Sequence, residues 1–141
     1  MKVISFILDN ELYGLNIKDI GEILIVPTIE RVPNTSFFVE GVINLRGNIV
    51  PVVNLSKKFG LKNKNLDINS KIVVIKFEEE AVGILVDEVR EAIKIESESE
   101  IEKTPEIKTE IPSKVFLGVF NYNDKMLIIL DAKEILHVEE Q

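Results

Sequence analysis

Short apolar runs separated by two-residue polar turns constrain this chain more than anything else in it. Val3–Leu8 stops at Asp9-Asn10-Glu11 and resumes at Leu12–Leu15, Val42–Arg46 and Ile49–Leu55 flank Gly47-Asn48, and Val115–Tyr122 and Lys125–Leu130 flank Asn123-Asp124. Asn, Asp and Gly tolerate the positive φ that tight hairpin turns require, so each of these places reads as a β-hairpin. Ile72–Phe77, Ala81–Asp87 and Val89–Ile95, broken at Glu78-Glu79-Glu80 and near Asp87-Glu88, read as a β-meander, although the third run could also be helical. Pro51 has no amide to donate, which predicts that its strand is a sheet edge or carries a bulge.

Helical signals are short. Asn16 can cap a helix that uses Ile17, Ile20 and Leu24, weakened by Gly21. Asn34–Glu40 reads as one capped turn stopped by a left-handed Gly41, and Ser56–Gly60 closes as another. Asp131, with Glu134 three residues on, opens a terminal helix whose apolar face is Ile135 and Leu136. Leu61–Ser70 is polar and reads as a loop between lobes, and Glu96–Glu110, acidic and broken by Pro105, as a solvated loop. With 141 residues, the expectation is one all-β domain spanning 1–141. Within it sit two packed β-barrels with short helices, in approximate lobes 1–65 and 66–141 between which strands can be exchanged.

Composition narrows the function. Seventeen lysines and arginines against 24 acids give a net charge of −7, which repels nucleic-acid phosphates and anionic lipid heads. An oligonucleotide-binding barrel is disfavoured further by an aromatic content of 6%. No cysteine is present, so disulfides, thiolate nucleophiles and cysteine zinc sites are excluded. Without a signal-like leader or an apolar run near roughly 18 residues, the chain is expected to be cytoplasmic and not inserted in a membrane.

Catalytic signals are weak. His137 stands alone near the end of the terminal helix, without a second ligand at helical spacing, and reads as a surface residue. No phosphate-cradling glycine loop and no Gly-x-Ser-x-Gly elbow occurs. The alternative to a binding protein is a small β-barrel enzyme using paired carboxylates on a soluble substrate. Its candidates, Asp87 and Glu88, are adjacent on a strand and so point to opposite faces. No cofactor or metal is expected. Arg46, one of three arginines, lies where an apolar strand enters a turn. Its fork must find carboxylate or carbonyl partners, either as a structural clamp or as an anchor facing a partner.

Gly41-Val42-Ile43-Asn44-Leu45-Arg46-Gly47-Asn48-Ile49-Val50-Pro51-Val52-Val53-Asn54-Leu55 resembles the signature of the CheW family of chemotaxis coupling proteins. The likeness extends to Tyr13-Gly14, Ile17, Glu22-Ile23, Pro33-Asn34, Val82–Asp87 and Leu117-Gly118, so it spans essentially the whole chain. Asn54 departs from the aspartate more usual in the family, which changes a local charge interaction. The resemblance implies two SH3-like five-stranded barrels sharing an apolar core, followed by a C-terminal helix. It also implies a non-enzymatic adaptor joining the cytoplasmic tips of methyl-accepting chemoreceptors to the regulatory domain of the histidine kinase CheA. On that resemblance the receptor-facing groove comprises Ile20, Glu22 and Val89, with Arg46 close by. The kinase contacts are Glu40, Gly41 and Ile49 on one lobe and Glu102, Pro105, Glu106 and Ile107 on the other.

Overall fold

The computed structural model describes residues 1–103 and 113–135. Three hairpins form where the polar turns predict them, and their centres are left-handed. β1 (Lys2–Leu8) and β2 (Glu11–Asn16) join through Asp9 and Asn10, at φ 49° and 62°. β9 (Phe116–Tyr122) and β10 (Lys125–Leu130) join through Asn123 and Asp124, at 50° and 65°. The signature hairpin, β4 (Val39–Leu45) and β5 (Asn48–Asn54), turns one residue earlier than the sequence suggests: Arg46 and Gly47, at 51° and 86°, are its centre. The Asn44 side chain decides this, because its Oδ1 accepts the Gly47 N–H at 2.9 Å and closes the loop around Arg46.

Elsewhere tertiary pairing overrides local pattern. Asn16 does cap, accepting the Lys18 N–H at 3.0 Å, but only over the 3-10 turn Ile17–Asp19. Ile20–Ile25 then becomes β3, because the edge of β6 (Lys71–Phe77) accepts it as an antiparallel partner. The expected meander does not form. β7 (Glu80–Val86) pairs with β6 on one side and runs parallel to β5 on the other, so no edge is left for β8 (Glu88–Lys94). The chain crosses at Asp87, whose N–H meets the Ile7 carbonyl at 3.0 Å, and β8 pairs with β1 as a strand rather than a helix.

The result is two five-stranded sheets, ordered β8-β1-β2-β10-β9 and β3-β6-β7-β5-β4. The second occupies 20–86 without interruption, while the first takes both ends of the chain, so the sheets do not follow the halves 1–65 and 66–141. The 61–70 loop consequently lies within one lobe rather than between two. β5 is an internal strand, yet Pro51 is accommodated. Val42, its partner on β4, turns its own N–H and C=O to Glu30, so the Val42–Pro51 pair exchanges no hydrogen bonds, and the parallel ladder to β7 starts only at Val52.

The two sheets use the same parts in the same places. Each has two hairpins, one parallel pair in its interior and a short helix after one hairpin: α1 (Leu55–Lys58) follows β4-β5 and α2 (Ala132–Ile135) follows β9-β10. Each is drawn closed by a backbone bridge from the segment after its edge strand. Glu30 and Val42 exchange hydrogen bonds of 2.9 and 2.8 Å, and Glu102 and Val119 exchange two of 2.9 Å. A glycine beside each bridge makes the approach possible. Gly41 sits at φ +147° inside β4, not at a helix end as expected, and a Cβ there would lie 2.1 Å from the Glu30 carbonyl oxygen. Gly118, at +148°, would place one 2.4 Å from the Glu102 carbonyl oxygen.

Alternation along the strands fills three apolar layers. In β6, Ile72 and Val74 face one barrel interior while Val73 and Ile75 face the other lobe; in β10, Leu127 and Ile129 face the second interior while Ile128 and Leu130 face back. The shared middle layer gathers Phe6, Tyr13, Phe38, Phe59, Ile84 and Ile135, among others, from both sheets. Burial there, with the charges of Glu11 and Asp9 nearby, pushes the Tyr13 phenol up to about 12. Gly118→Ala is expected to destabilise the protein by about 2 kcal/mol or more, through the steric conflict and the forced φ together. Urea denaturation measures this, and a loss near zero would show that the bridge is not a closure element.

Candidate functional site

Because both faces of most strands are apolar and buried, side chains that can meet a partner collect at turns and sheet edges. Arg46 and Glu22 are such a pair. They belong to opposite ends of one sheet order, β4's turn and β3, and the curl of the sheet brings them together. The guanidinium donates to Glu22 through both terminal nitrogens, Nη2 to Oε1 at 2.5 Å and Nη1 to Oε2 at 3.3 Å. Arg46 is 66% exposed and Glu22 27% in their side chains, so the fork spans the closed sheet on its outside. The Arg46 hydrogen bonds, aided by its charge and that of Lys76, hold the Glu22 carboxyl below the usual range, and Glu22 in turn raises the Arg46 guanidinium.

Ile20 lies two residues before Glu22, across a β-bulge, and is half-buried against the shared core. Val89 occupies the matching place on β8: it pairs with Phe6 as Ile20 pairs with Ile75, and it packs against the same core. The structure therefore brings Glu22 and Arg46 into direct contact and sets Ile20 and Val89 on edge strands of different sheets, each with part of its side chain exposed. Ile49, next to the signature turn, is 65% exposed on β5. Gly41 and Glu40 sit at the β4 bulge, and Glu102 is exposed at the bridge to Val119. Pro105, Glu106, Ile107, Leu136 and His137 lie outside the described residues.

A network that the sequence did not signal surrounds Glu40. Asn54, almost fully buried at the end of β5, donates Nδ2–H to Glu40 Oε1 and to Asn63 Oδ1, both at 3.0 Å, while its own Oδ1 accepts the Lys57 N–H as the cap of α1. Lys57 completes the group with an ion pair of 2.9 Å to Glu40. Burial alone would raise Glu40, but the hydrogen bonds from Lys57 and Asn54, with the charges of Lys57 and Arg31, outweigh it and lower its carboxyl. A carboxylate at position 54 could not donate to Glu40, which gives a physical reason for asparagine here. The one available signal was positional: a polar residue closing an apolar run just before a helical turn.

The carboxylates weighed for catalysis are engaged separately. Asp87 accepts the Asp9 N–H at 3.1 Å, and Glu88 accepts from Arg90 Nε at 2.7 Å. Neither is aimed at the other's partner, and the arrangement serves the crossover between sheets. Among the described residues no helix is long and apolar enough to cross a membrane.

The Glu22 shift fixes the pH behaviour of the clamp. Since its folded value lies below the ordinary 4.5, the contribution is complete above that pH and disappears as pH falls through the folded value. Arg46→Ala should therefore lower the melting temperature slightly near neutrality, as suits an exposed pair, and the gap to the parent should close in acid. Calorimetry across pH measures it, and a gap that persists at low pH would mean that Arg46 acts through something other than Glu22. Asn54→Asp should cost about 1–3 kcal/mol by setting two carboxylates together, with Glu40→Gln in the same chain restoring part of it. Chemical denaturation of the single and double variants would show no recovery if the two sites were uncoupled.

Comparison with known proteins places this geometry in a family. A CheW-like domain model matches residues 2–140. The chain is 35% identical over 135 residues to the chemotaxis protein CheW of Klebsiella aerogenes, covering 96% of this chain and 81% of that one. It is 34% identical over 136 residues to that of Helicobacter pylori, with the same coverage. The solved scaffolding protein TtCheW of Thermoanaerobacter tengcongensis superposes with a TM-score of 0.84 at 38% identity, over 92% of this chain and 83% of that one. The paired five-stranded sheets and the signature hairpin are thus those of a known scaffold, and the chain belongs to the CheW-like family of chemotaxis scaffold proteins.

Proposed function

We propose that this protein is a non-enzymatic adaptor that joins the cytoplasmic tips of methyl-accepting chemoreceptors to the regulatory domain of the histidine kinase CheA. It works in the cytoplasm and reaches the membrane through its partners. The observation that supports this most strongly is the near end-to-end alignment with chemotaxis CheW proteins of a chain whose signature hairpin presents Ile49 and, paired with Glu22 of β3, Arg46 at the surface. In this reading Ile20 and Val89 give apolar contact to a helical receptor tip, and Glu22 with Arg46 gives the polar one. Glu40, Gly41 and Ile49 on one lobe, and Glu102 with Pro105, Glu106 and Ile107 on the other, meet the kinase.

Each contact is small. Interfaces below roughly 1,200 Å² bind weakly alone, and clustering many of them raises occupancy through effective concentration. Control follows if the receptor tip's two signalling states fit the adaptor with different affinity, since only a differential affinity can shift the kinase equilibrium.

Pull-down of the full chain with a receptor cytoplasmic fragment and the kinase regulatory domain, separately and together, tests this. Ternary co-elution is expected, with Glu22→Lys losing the receptor fragment and Ile49→Asp losing the kinase domain. Failure to bind either protein would remove the reading, and equal binding by both variants would remove the assigned surfaces.

A further inference from the structure

Val89 on β8 and Glu40 at the β4 bulge, assigned above to different partners, stand on different sheets, yet a run of hydrogen bonds joins their surroundings across the two lobes. It starts two residues before Val89. Asp87, which leads into β8, accepts the Asp9 N–H on Oδ2 at 3.1 Å, and Asp9 Oδ2 in turn accepts the Lys62 N–H at 3.2 Å. The next residue, Asn63, offers its Oδ1 to Asn54 Nδ2 at 3.0 Å, and the same nitrogen donates to Glu40 Oε1. The 61–70 loop leaves and re-enters one lobe, but its first residues reach the hairpin turn of the other.

Each step of the run leaves from a fixed point. Leu61 is half-buried against the shared core and its N–H meets the Ser56 carbonyl at 2.8 Å, which seats Lys62 and Asn63 just after it. Asp9 is set by its left-handed turn, at φ 49°. The Asn54 amide is planar and pinned three ways, because Oδ1 accepts the Lys57 N–H at 3.1 Å while Nδ2 serves both Glu40 and Asn63. A displacement of Asn63 therefore turns the amide against its other two partners, and Lys57, which also pairs with Glu40, is drawn along through its cap. Such a contiguous, position-sensitive network is the kind of path along which two sites can bias each other. We infer that Asp9 and Asn63 are positioning residues that link the Val89 face to the Glu40 face, so that a receptor tip seated on the first changes the affinity of the second for the kinase regulatory domain. The inference rests on the adaptor reading, to which it adds two residues outside both docking surfaces.

Titration calorimetry of the full chain with the kinase regulatory domain, with and without saturating receptor fragment, tests the link. In the parent the fragment should change the kinase affinity by about fivefold or more. Asp9→Gly suits the positive φ of the turn but removes the carboxylate, and Asn63→Ala removes the acceptor of Asn54. Each should bring that factor at least about twofold closer to one. Each partner alone should still bind within about twofold of the parent, as expected for exposed or half-exposed positions outside the docking surfaces. Asp9→Asn keeps an oxygen acceptor and should keep the parent's factor. Hydrogen exchange should show the Lys62 amide opening faster in Asp9→Gly and not in Asp9→Asn, a readout that needs no partner. A factor near one in the parent, a factor that either Asp9→Gly or Asn63→Ala leaves unchanged, or an unaltered Lys62 amide overturns the inference and leaves the adaptor reading standing. A parent that binds neither partner removes both.

Discussion

Burial of both faces of the central strands is the constraint on which the rest of this protein depends. A sheet with one wet face can place polar groups along its whole length, but here alternate residues fill a barrel interior and a layer shared between lobes. Polar chemistry is thereby pushed to the turns, the bulges and the edge strands. The described candidate docking residues lie in or beside those places, and so do the closures that hold each sheet in its curl.

Those closures are economical. Each lobe approaches its own edge through one bridge beside a glycine that has no room for a side chain, Gly41 in one lobe and Gly118 in the other. The signature hairpin adds a side-chain clasp, Arg46 on Glu22, outside the bridge. An exposed clasp of this kind contributes little to stability, but it holds two charged groups in register at the surface. The structural and partner-facing readings of Arg46 are thus compatible: pairing with Glu22 organises the fork, and exposure leaves it accessible.

The Asn54 network shows how a departure from a family's usual residue is absorbed. An amide both donates and accepts, so one side chain caps α1 and neutralises the demand of Glu40 for donors. An aspartate in the same place would cap the helix and leave Glu40 facing a like charge. Position 54 therefore couples the backbone entry to α1 with the electrostatics of the β4 bulge, where Glu40 stands.

Hairpins, their turns and the all-β class were legible because two-residue turns need residues that accept positive φ, and alternating apolar side chains need two burial layers. Asp9-Asn10 and Asn123-Asp124 did both jobs in plain sight. What sequence alone could not convey was partnership between distant segments. Ile17–Leu24 has helical spacing, yet β6 draws most of it into a strand; Val82–Val86 and Val89–Lys94 follow one another, yet join different sheets. The pairing of Arg46 with Glu22, 24 residues apart, and the seat of Asn54 on Glu40 arise only when the sheet curls. Local chemistry determined which stretches turn and which extend, because φ preferences and side-chain alternation act over a few residues. The tertiary structure decided which strands meet and which charges pair, because those choices depend on edges left open by pairings elsewhere in the chain.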